Sequence, residues 1–390
     1  MLGGCASGRH PNERTIANTT AQIAEIHMVD ARNGWAWSSG LAGQRPLLHT
    51  TDGGTTWRDV TPRGFPHTEE GACFRDPRTA WVPIYDTRNT GDGLLRTTDG
   101  GKTWSLLNRT NSPIFNEASS CHFFSSNYGV GSTADGGLGS AYYTFFETHD
   151  SGRTWQTIPL TPPVRESVEQ SNTVHLSNIG GDRIAFFPPS TTIIAHGDTA
   201  DEQPKGSVRL SVTFDLGKTW RDLKLPLSGQ YHDCLCAPFE PVFVDNKNII
   251  LPARVFKMGA DGSYAPGVLI FYTSRDGGVT WVAKPGAVVR QDLADPNALS
   301  VVSPKCFFIC SGTKIFVTHD GADTWQAIKA NLAFGGTSHR DVLQMQFVDP
   351  VHGWIIAYEH AESPRNAYFC FYRTSDGGKT WTELPLKIVR

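Results

Sequence analysis

Thr97-Thr-Asp99-Gly-Gly101-Lys-Thr103-Trp104 decides how this chain is read, because it recurs. Upstream stands Thr50-Thr-Asp52-Gly-Gly54-Thr-Thr56-Trp57. Downstream come Thr148-His-Asp150-Ser-Gly152-Arg-Thr154-Trp155, Thr213-Phe-Asp215-Leu-Gly217-Lys-Thr219-Trp220 and Ser274-Arg-Asp276-Gly-Gly278-Val-Thr280-Trp281. The last two are Thr318-His-Asp320-Gly-Ala322-Asp-Thr324-Trp325 and Thr374-Ser-Asp376-Gly-Gly378-Lys-Thr380-Trp381. Six copies fit Ser/Thr-x-Asp-x-Gly-x-Thr-Trp, and the sixth in order has Ala322 in place of the glycine. Seven of the 11 tryptophans sit in these boxes. The box has the chemistry of a hairpin turn. The Asp carboxylate can accept bonds from backbone N–H groups just downstream, and Gly supplies a φ > 0 conformation. The β-branched Thr is expected to start the outgoing strand, and Trp to anchor the turn against its sheet. Ala322 is expected to strain the sixth turn or force another turn type.

Outward from the box, each repeat reads as short strands. In the first, Ile23–Asp30 leads through a turn to Trp35–Ser38, then a polar loop, Leu47–Thr51, the box and Arg58–Thr61. The last repeat copies it with Val342–Asp349, Trp354–Tyr358, Tyr368–Thr374, the box and Thr382–Pro385. Four strands in a repeat of roughly 45–60 residues make a propeller blade, whose two faces only neighbouring blades can cover. The expected fold is all-β: a seven-bladed β-propeller with four-stranded antiparallel blades and one box turn in each. A tail, residues 1–15, precedes a single domain, 16–390, with blades at about 16–61, 65–108, 113–160, 172–226, 235–286, 293–330 and 336–390. Either the strand after Trp381 completes blade seven alone, or Thr15–Thr20 adds to it.

Composition narrows the function. Lys plus Arg is 35 against 38 Asp plus Glu, a net charge of −3, so there is no electrostatic footprint for nucleic acid. No stretch reaches the roughly 18 apolar residues of a membrane-spanning helix. No phosphate-cradling glycine motif leads a strand into a helix, so no nucleotide or other cofactor is expected. Cys234-x-Cys236 and Cys306-x3-Cys310 depart from zinc spacings and read as small buried apolar side chains. The boxes carry one acid where a calcium loop needs several, so no metal is expected. Leu2-Gly3-Gly4-Cys5-Ala6-Ser7 resembles a lipobox, although the charged and apolar regions of a signal are missing upstream. The expectation is an extracytoplasmic lipoprotein anchored through Cys5, its true start lying in a longer signal. If the start is correct and Cys5 is unmodified, the chain is a cytoplasmic scaffold.

The seven boxes resemble the Asp-box, or bacterial neuraminidase, repeat of sialidases, sortilin-type receptors, xyloglucan hydrolases and the photosystem II assembly-factor propellers. Gly34-Trp35-Ala36 with the His49–Trp57 box, and Gly353-Trp354 with the Arg373–Trp381 box, look most like the assembly-factor group. The resemblance implies that Asp52, Asp99, Asp150, Asp215, Asp276, Asp320 and Asp376 are structural, on the side opposite the ligand face. It also implies docking of a protein or peptide of an envelope complex on that face without catalysis, and the chain is expected to be a monomer.

A ligand face would be built from the second-to-third-strand loops and the inter-blade connections. The candidate binding residues on them are Arg63, His67, Arg88, Arg165, Tyr231, His232, Asp233, Arg254, Arg290, His339, Arg340 and Arg365. His232-Asp233 and His339-Arg340-Asp341 are the densest polar runs, yet no nucleophile elbow accompanies them. The alternative is a sialidase-like propeller that binds or hydrolyses glycans. It would need an arginine cluster and a Tyr–Glu pair in one pocket, and Ile249–Arg254 with Leu269–Tyr272 resembles a sialidase blade. Against it, the Arg-Ile-Pro motif that normally opens that family is absent near residues 16–45, and sialidases usually have six blades. No catalytic residue is assigned.

Overall fold

The box turn is a closed hydrogen-bonded unit. Thr50 Oγ1 donates to Asp52 Oδ1 at 2.9 Å and accepts the Gly54 N–H at 2.9 Å. Asp52 in turn accepts the Thr56 N–H at 2.9 Å and the Thr56 hydroxyl at 2.6 Å. The pattern recurs around Asp99, Asp150, Asp215, Asp276, Asp320 and Asp376. The second Thr therefore belongs to the turn, and the outgoing strand starts at or after the Trp, as in Trp57–Asp59. Both residues after the Asp have positive φ, for example Gly53 at 74° and Gly54 at 88°. A Cβ on Gly54 would come within 2.7 Å of the Phe371 ring. Ala322 keeps the same turn and the same bonds at φ 69°, so the substitution leaves the turn type unchanged. Ser151 and Leu216 carry the same left-handed conformation at the preceding position. An L side chain there costs roughly 1–2 kcal/mol.

The structure, a computed structural model, describes residues 22–39, 45–64, 72–84, 93–109, 120–135, 140–161, 174–177, 183–196, 206–227, 229–257, 267–286, 288–289, 298–335, 340–359 and 368–389. These form seven antiparallel sheets, each with a four-strand meander running from the channel outward. Blade one is Gln22–Met28, Gly34–Ser39, Leu47–Thr50 and Trp57–Asp59, and blade seven is Arg340–Phe347, Gly353–Glu359, Tyr368–Thr374 and Thr382–Glu383. Two blades carry additions. Val174–Ser177 pairs with the start of Ser140–Thr148 in blade three, and Val288–Val289 with the start of Val268–Ser274 in blade five. The last strand, Ile388–Val389, leaves blade seven and pairs parallel with Trp57–Asp59 of blade one. Thr15–Thr20 lies outside the described residues.

Seven apolar clusters fill the seven seams between adjacent blades, and each contains one box tryptophan. The Trp belongs to the later blade and packs on the earlier one, not simply on its own sheet. Trp104 Nε1 of blade two donates to the Val60 carbonyl at 2.8 Å, and Trp220 Nε1 to that of Thr161 at 2.8 Å. Tryptophans on the second strands reach the other way. Trp81 Nε1 donates to Ser151 O and Trp354 Nε1 to Gly53 O, in the box of the following blade.

The inner strands are also laced to one another along the channel. Gln346 of blade seven donates to Met28 O and accepts Met28 N–H, and Gln344 does the same with Ile26. Ser300 of blade six bonds the Phe347 backbone, and His27 of blade one bonds that of Phe74. Cys73 of blade two is disulfide-bonded to Cys121 of blade three, with Cα atoms 5.8 Å apart. Gln346, Ser300, His27 and Cys73 all stand five residues ahead of the turn carbonyl that receives the box amide. Cys234, Cys236, Cys306 and Cys370 are buried as thiols.

Two predictions follow from the turns and the lacing. Replacing Gln344 and Gln346 by Ala leaves the Ile26 and Met28 backbone groups without partners, at roughly 1–3 kcal/mol for each group that stays buried. Hydrogen exchange at those two amides should accelerate at least about tenfold, while Leu210 in blade four stays protected. The second concerns acid. Hydrogen bonds from the Thr219 hydroxyl and amide lower Asp215 from 3.8 to about 2, and those from Thr324 lower Asp320 likewise. Their stabilisation is complete above the unfolded value and is lost as pH falls from about 4 to about 2. His27, His49 and His122 are lowered by burial, so their protonation adds an earlier loss beginning below about 6.5. Thermal unfolding from pH 7 to pH 2 should show both windows, and Asp320→Asn should flatten only the lower one.

Candidate functional site

Strand direction separates the two faces of the ring. The box joins third to fourth strands, and the turn between first and second strands docks on it, as when Gly377 N–H donates to Val351 O. The second-to-third-strand loops and the inter-blade connections therefore open on the opposite face, the channel mouth. Six of the sequence candidates, His67, Arg88, Arg165, Arg290, His339 and Arg365, lie outside the described residues, as does Cys5. Arg63 is exposed on the connection that leaves blade one, and its neighbour Gly64 has φ 81°.

Between blades four and five the chain makes a short 3-10 turn, Gly229–Tyr231. Tyr231 packs on the four–five seam, and His232 Nδ1 lies 3.1 Å from the Gly229 carbonyl. Asp233 pairs with Lys257 at 2.9 Å, which holds its carboxyl below the usual range. Arg254 is not a loop residue. It sits within the strand Ile249–Phe256, paired with Ala237 and Leu269, and its guanidinium lies 4.6 Å from the Phe256 ring centre.

At the mouth of blade seven, Arg340 opens the inner strand and Glu359 ends the second, opposite each other across the ladder. Arg340 Nε donates to Glu359 Oε1 at 2.6 Å, and the Tyr372 hydroxyl donates to the same oxygen. Arg340 Nε also lies 3.4 Å from that hydroxyl. Tyr372 is 3% exposed and stands edge-on to Phe334, with ring centres 5.1 Å apart. Burial first, and then the bond to Glu359, pushes the phenol far above its ordinary range. Beside it, burial with Glu359 and Glu383 pushes the Cys370 thiol up to about 12. A Tyr–Glu pair is thus present, but it faces the six–seven seam with its hydroxyl committed. Of the candidate arginines, Arg340 reaches it, while Arg63 and Arg254 belong to blades one and five.

The channel holds groups that reasoning from loops missed. A cavity of about 780 Å³ is lined by the inner strands of blades three to six, among them His122, Arg183 and Glu240. A second, of about 480 Å³, adjoins it at Cys121, His122 and Phe124 and reaches Glu25 and His27 of blade one. These five ionisable side chains are exposed on the cavity walls. Burial within the channel raises Glu25 and Glu240 and lowers His27 and His122. For Glu25 and His27 the sequence signal was an ionisable residue alternating with apolar ones inside a strand, Gln22–Met28.

A family model described as BNR/Asp-box repeat matches residues 95–106, and one described as Sortilin, neurotensin receptor 3, matches residues 270–390. No curated protein matches the chain in sequence. Among solved structures, an ulvan lyase of a polysaccharide lyase family is similar at 10% identity, over 94% of this chain and 97% of that one, with a TM-score of 0.50. An oligogalacturonate lyase from Vibrio parahaemolyticus is similar at 10% identity, over 92% and 90%, with a TM-score of 0.50. An α-L-arabinofuranosidase from Fusarium graminearum is similar at 13% identity, over 81% and 95%, with a TM-score of 0.41. Likeness at such identity bears on the fold alone. The chain is a seven-bladed β-propeller built on BNR/Asp-box repeats.

Proposed function

We propose that the chain is a non-catalytic, extracytoplasmic binding propeller that docks a protein or peptide of an envelope complex on its mouth face. In this role it is similar to the photosystem II assembly-factor propellers. The observation that carries the reading is how the ionisable groups at the mouth are spent. Asp233 is paired with Lys257, and Arg340 and Tyr372 are both committed to Glu359. A nucleophile needs an adjacent base and an open approach, and the Tyr372 hydroxyl is buried against Phe334. The Cys73–Cys121 disulfide supports an oxidising compartment, consistent with anchoring through Cys5. Retention of an envelope protein by the immobilised chain, lost when Arg63 and Lys257 are both changed to Glu, is the expected result. Retention that ignores the charge reversal would remove the mouth face as the docking surface.

A sialidase-like reading, with the chain binding or hydrolysing glycans, has one specific observation in its favour. The Tyr372–Glu359 pair with Arg340 is the residue set such a nucleophile uses. Two lyases, the ulvan lyase and the oligogalacturonate lyase, are similar in fold, which permits this reading without selecting it. Fluorogenic sialosides decide between the two. No turnover is expected from the wild-type chain; turnover abolished by Tyr372→Phe would overturn the non-catalytic reading.

A further inference from the structure

The lacing of the inner strands is uneven. The seams from blade six through seven, one and two to blade three are tied by Ser300, Gln346, His27 and Cys73. The equivalent positions in blades three, four and five are His122, Ala185 and Val242, and among the described residues none of them ties its blade to the next. The larger cavity opens along this untied arc.

Three features give the arc a chemistry. The inner strand of blade five is broken, with Leu235–Pro238 and Val242–Phe243 pairing separately with Ile249–Phe256. Phe239–Pro241 bulges between them and places Glu240 in the cavity wall. Bulges of this kind re-aim side chains and are over-represented beside functional sites. Arg183, the first residue of the blade-four inner strand, is the opposite charge that acts on Glu240. Phe124, Phe187 and Phe243 form a continuous wall, with ring centres 5.4 Å and 5.0 Å apart. His122 and Glu240 have no hydrogen-bond partner among the described residues, and burial holds His122 toward its neutral form.

We infer that this recess binds a small zwitterion with an apolar body, of dipeptide size. Arg183 takes the carboxylate, Glu240 takes the ammonium, and the apolar side chains lie against the Phe124, Phe187 and Phe243 wall. Arg183 and Glu240 bring opposite charges to the recess, which favours a ligand of matching charge separation over one of a single sign. A ligand carrying both charges satisfies both. The cavity volume lies in the range of sites that enclose small ligands, which are lined mostly by apolar groups with a few polar ones fixing orientation. The site lies inside the ring and does not depend on partner docking at the mouth.

Calorimetric titration of the full chain with L-leucyl-L-phenylalanine, its N-acetyl derivative and its C-terminal amide tests the assignment. The free dipeptide should bind at least about tenfold tighter than either blocked form, the equivalent of about 1.4 kcal/mol for each lost charge. Glu240→Gln should abolish the preference over the N-acetyl form, and Arg183→Gln the preference over the amide. Phe187→Ala should weaken all three. Variants that unfold are recognised by their circular dichroism, and the comparison among the three ligands on the wild-type chain stands without them. No binding of the free dipeptide at millimolar concentration, or equal binding of the blocked forms, overturns the proposal. The Arg63→Glu, Lys257→Glu double variant should bind the dipeptide normally, which separates failure here from failure of the docking reading.

Discussion

Everything in this molecule depends on covering two apolar faces of a four-stranded sheet that can cover neither by itself. Trp81, Leu94 and Phe146 are almost wholly buried, and their cover comes from an adjacent blade. The box tryptophan is the piece that crosses each seam, so the turn motif works as much between blades as within one. A sheet twists by a fixed amount per strand, and packing such sheets face to face around an axis closes a ring. Closure removes the exposed face that a shorter array would leave.

Once the ring is closed, the inner strands present unpaired edges to the channel, and these are managed individually. An amide side chain can imitate a strand, because it offers one donor and one acceptor to the same residue, as Gln344 and Gln346 do. A hydroxyl at Ser300 and an imidazole at His27 meet the same need at the same position of other blades, where Cys73 instead ties its blade to the next by a disulfide. The final strand, Ile388–Val389, adds a second closure at the outer rim, where it pairs with Trp57–Asp59. First and last blades are thus joined at the channel and at the perimeter.

The functional reading follows from where charge is left uncommitted. On the box face the seven aspartates spend their oxygens on Thr hydroxyls and backbone N–H groups, which explains their low pKa values without any ligand. At the mouth, Asp233 and Glu359 are held by Lys257 and by Arg340 with Tyr372. Along blades three to five of the channel, His122 and Glu240 lack hydrogen-bond partners among the described residues and stand beside aromatic walls.

The sequence by itself determined the number of blades and the chemistry of the box turn. Each of these is local: a carboxylate, a hydroxyl and two residues of positive φ within eight positions define a turn wherever they occur. It also marked His232, Asp233 and Arg340 as polar residues of loops and strand ends, which announce themselves by composition, whereas Arg254 stands within a strand. Only the tertiary structure decided that Arg340 meets Tyr372, a residue 32 positions away in the chain, that Gln346 meets Met28 across the closure, and that Arg183 and Glu240 share one cavity. Those partners lie on different strands or different blades, and blade-to-blade contact is set by the twist and closure of the ring. No spacing along the chain encodes that geometry.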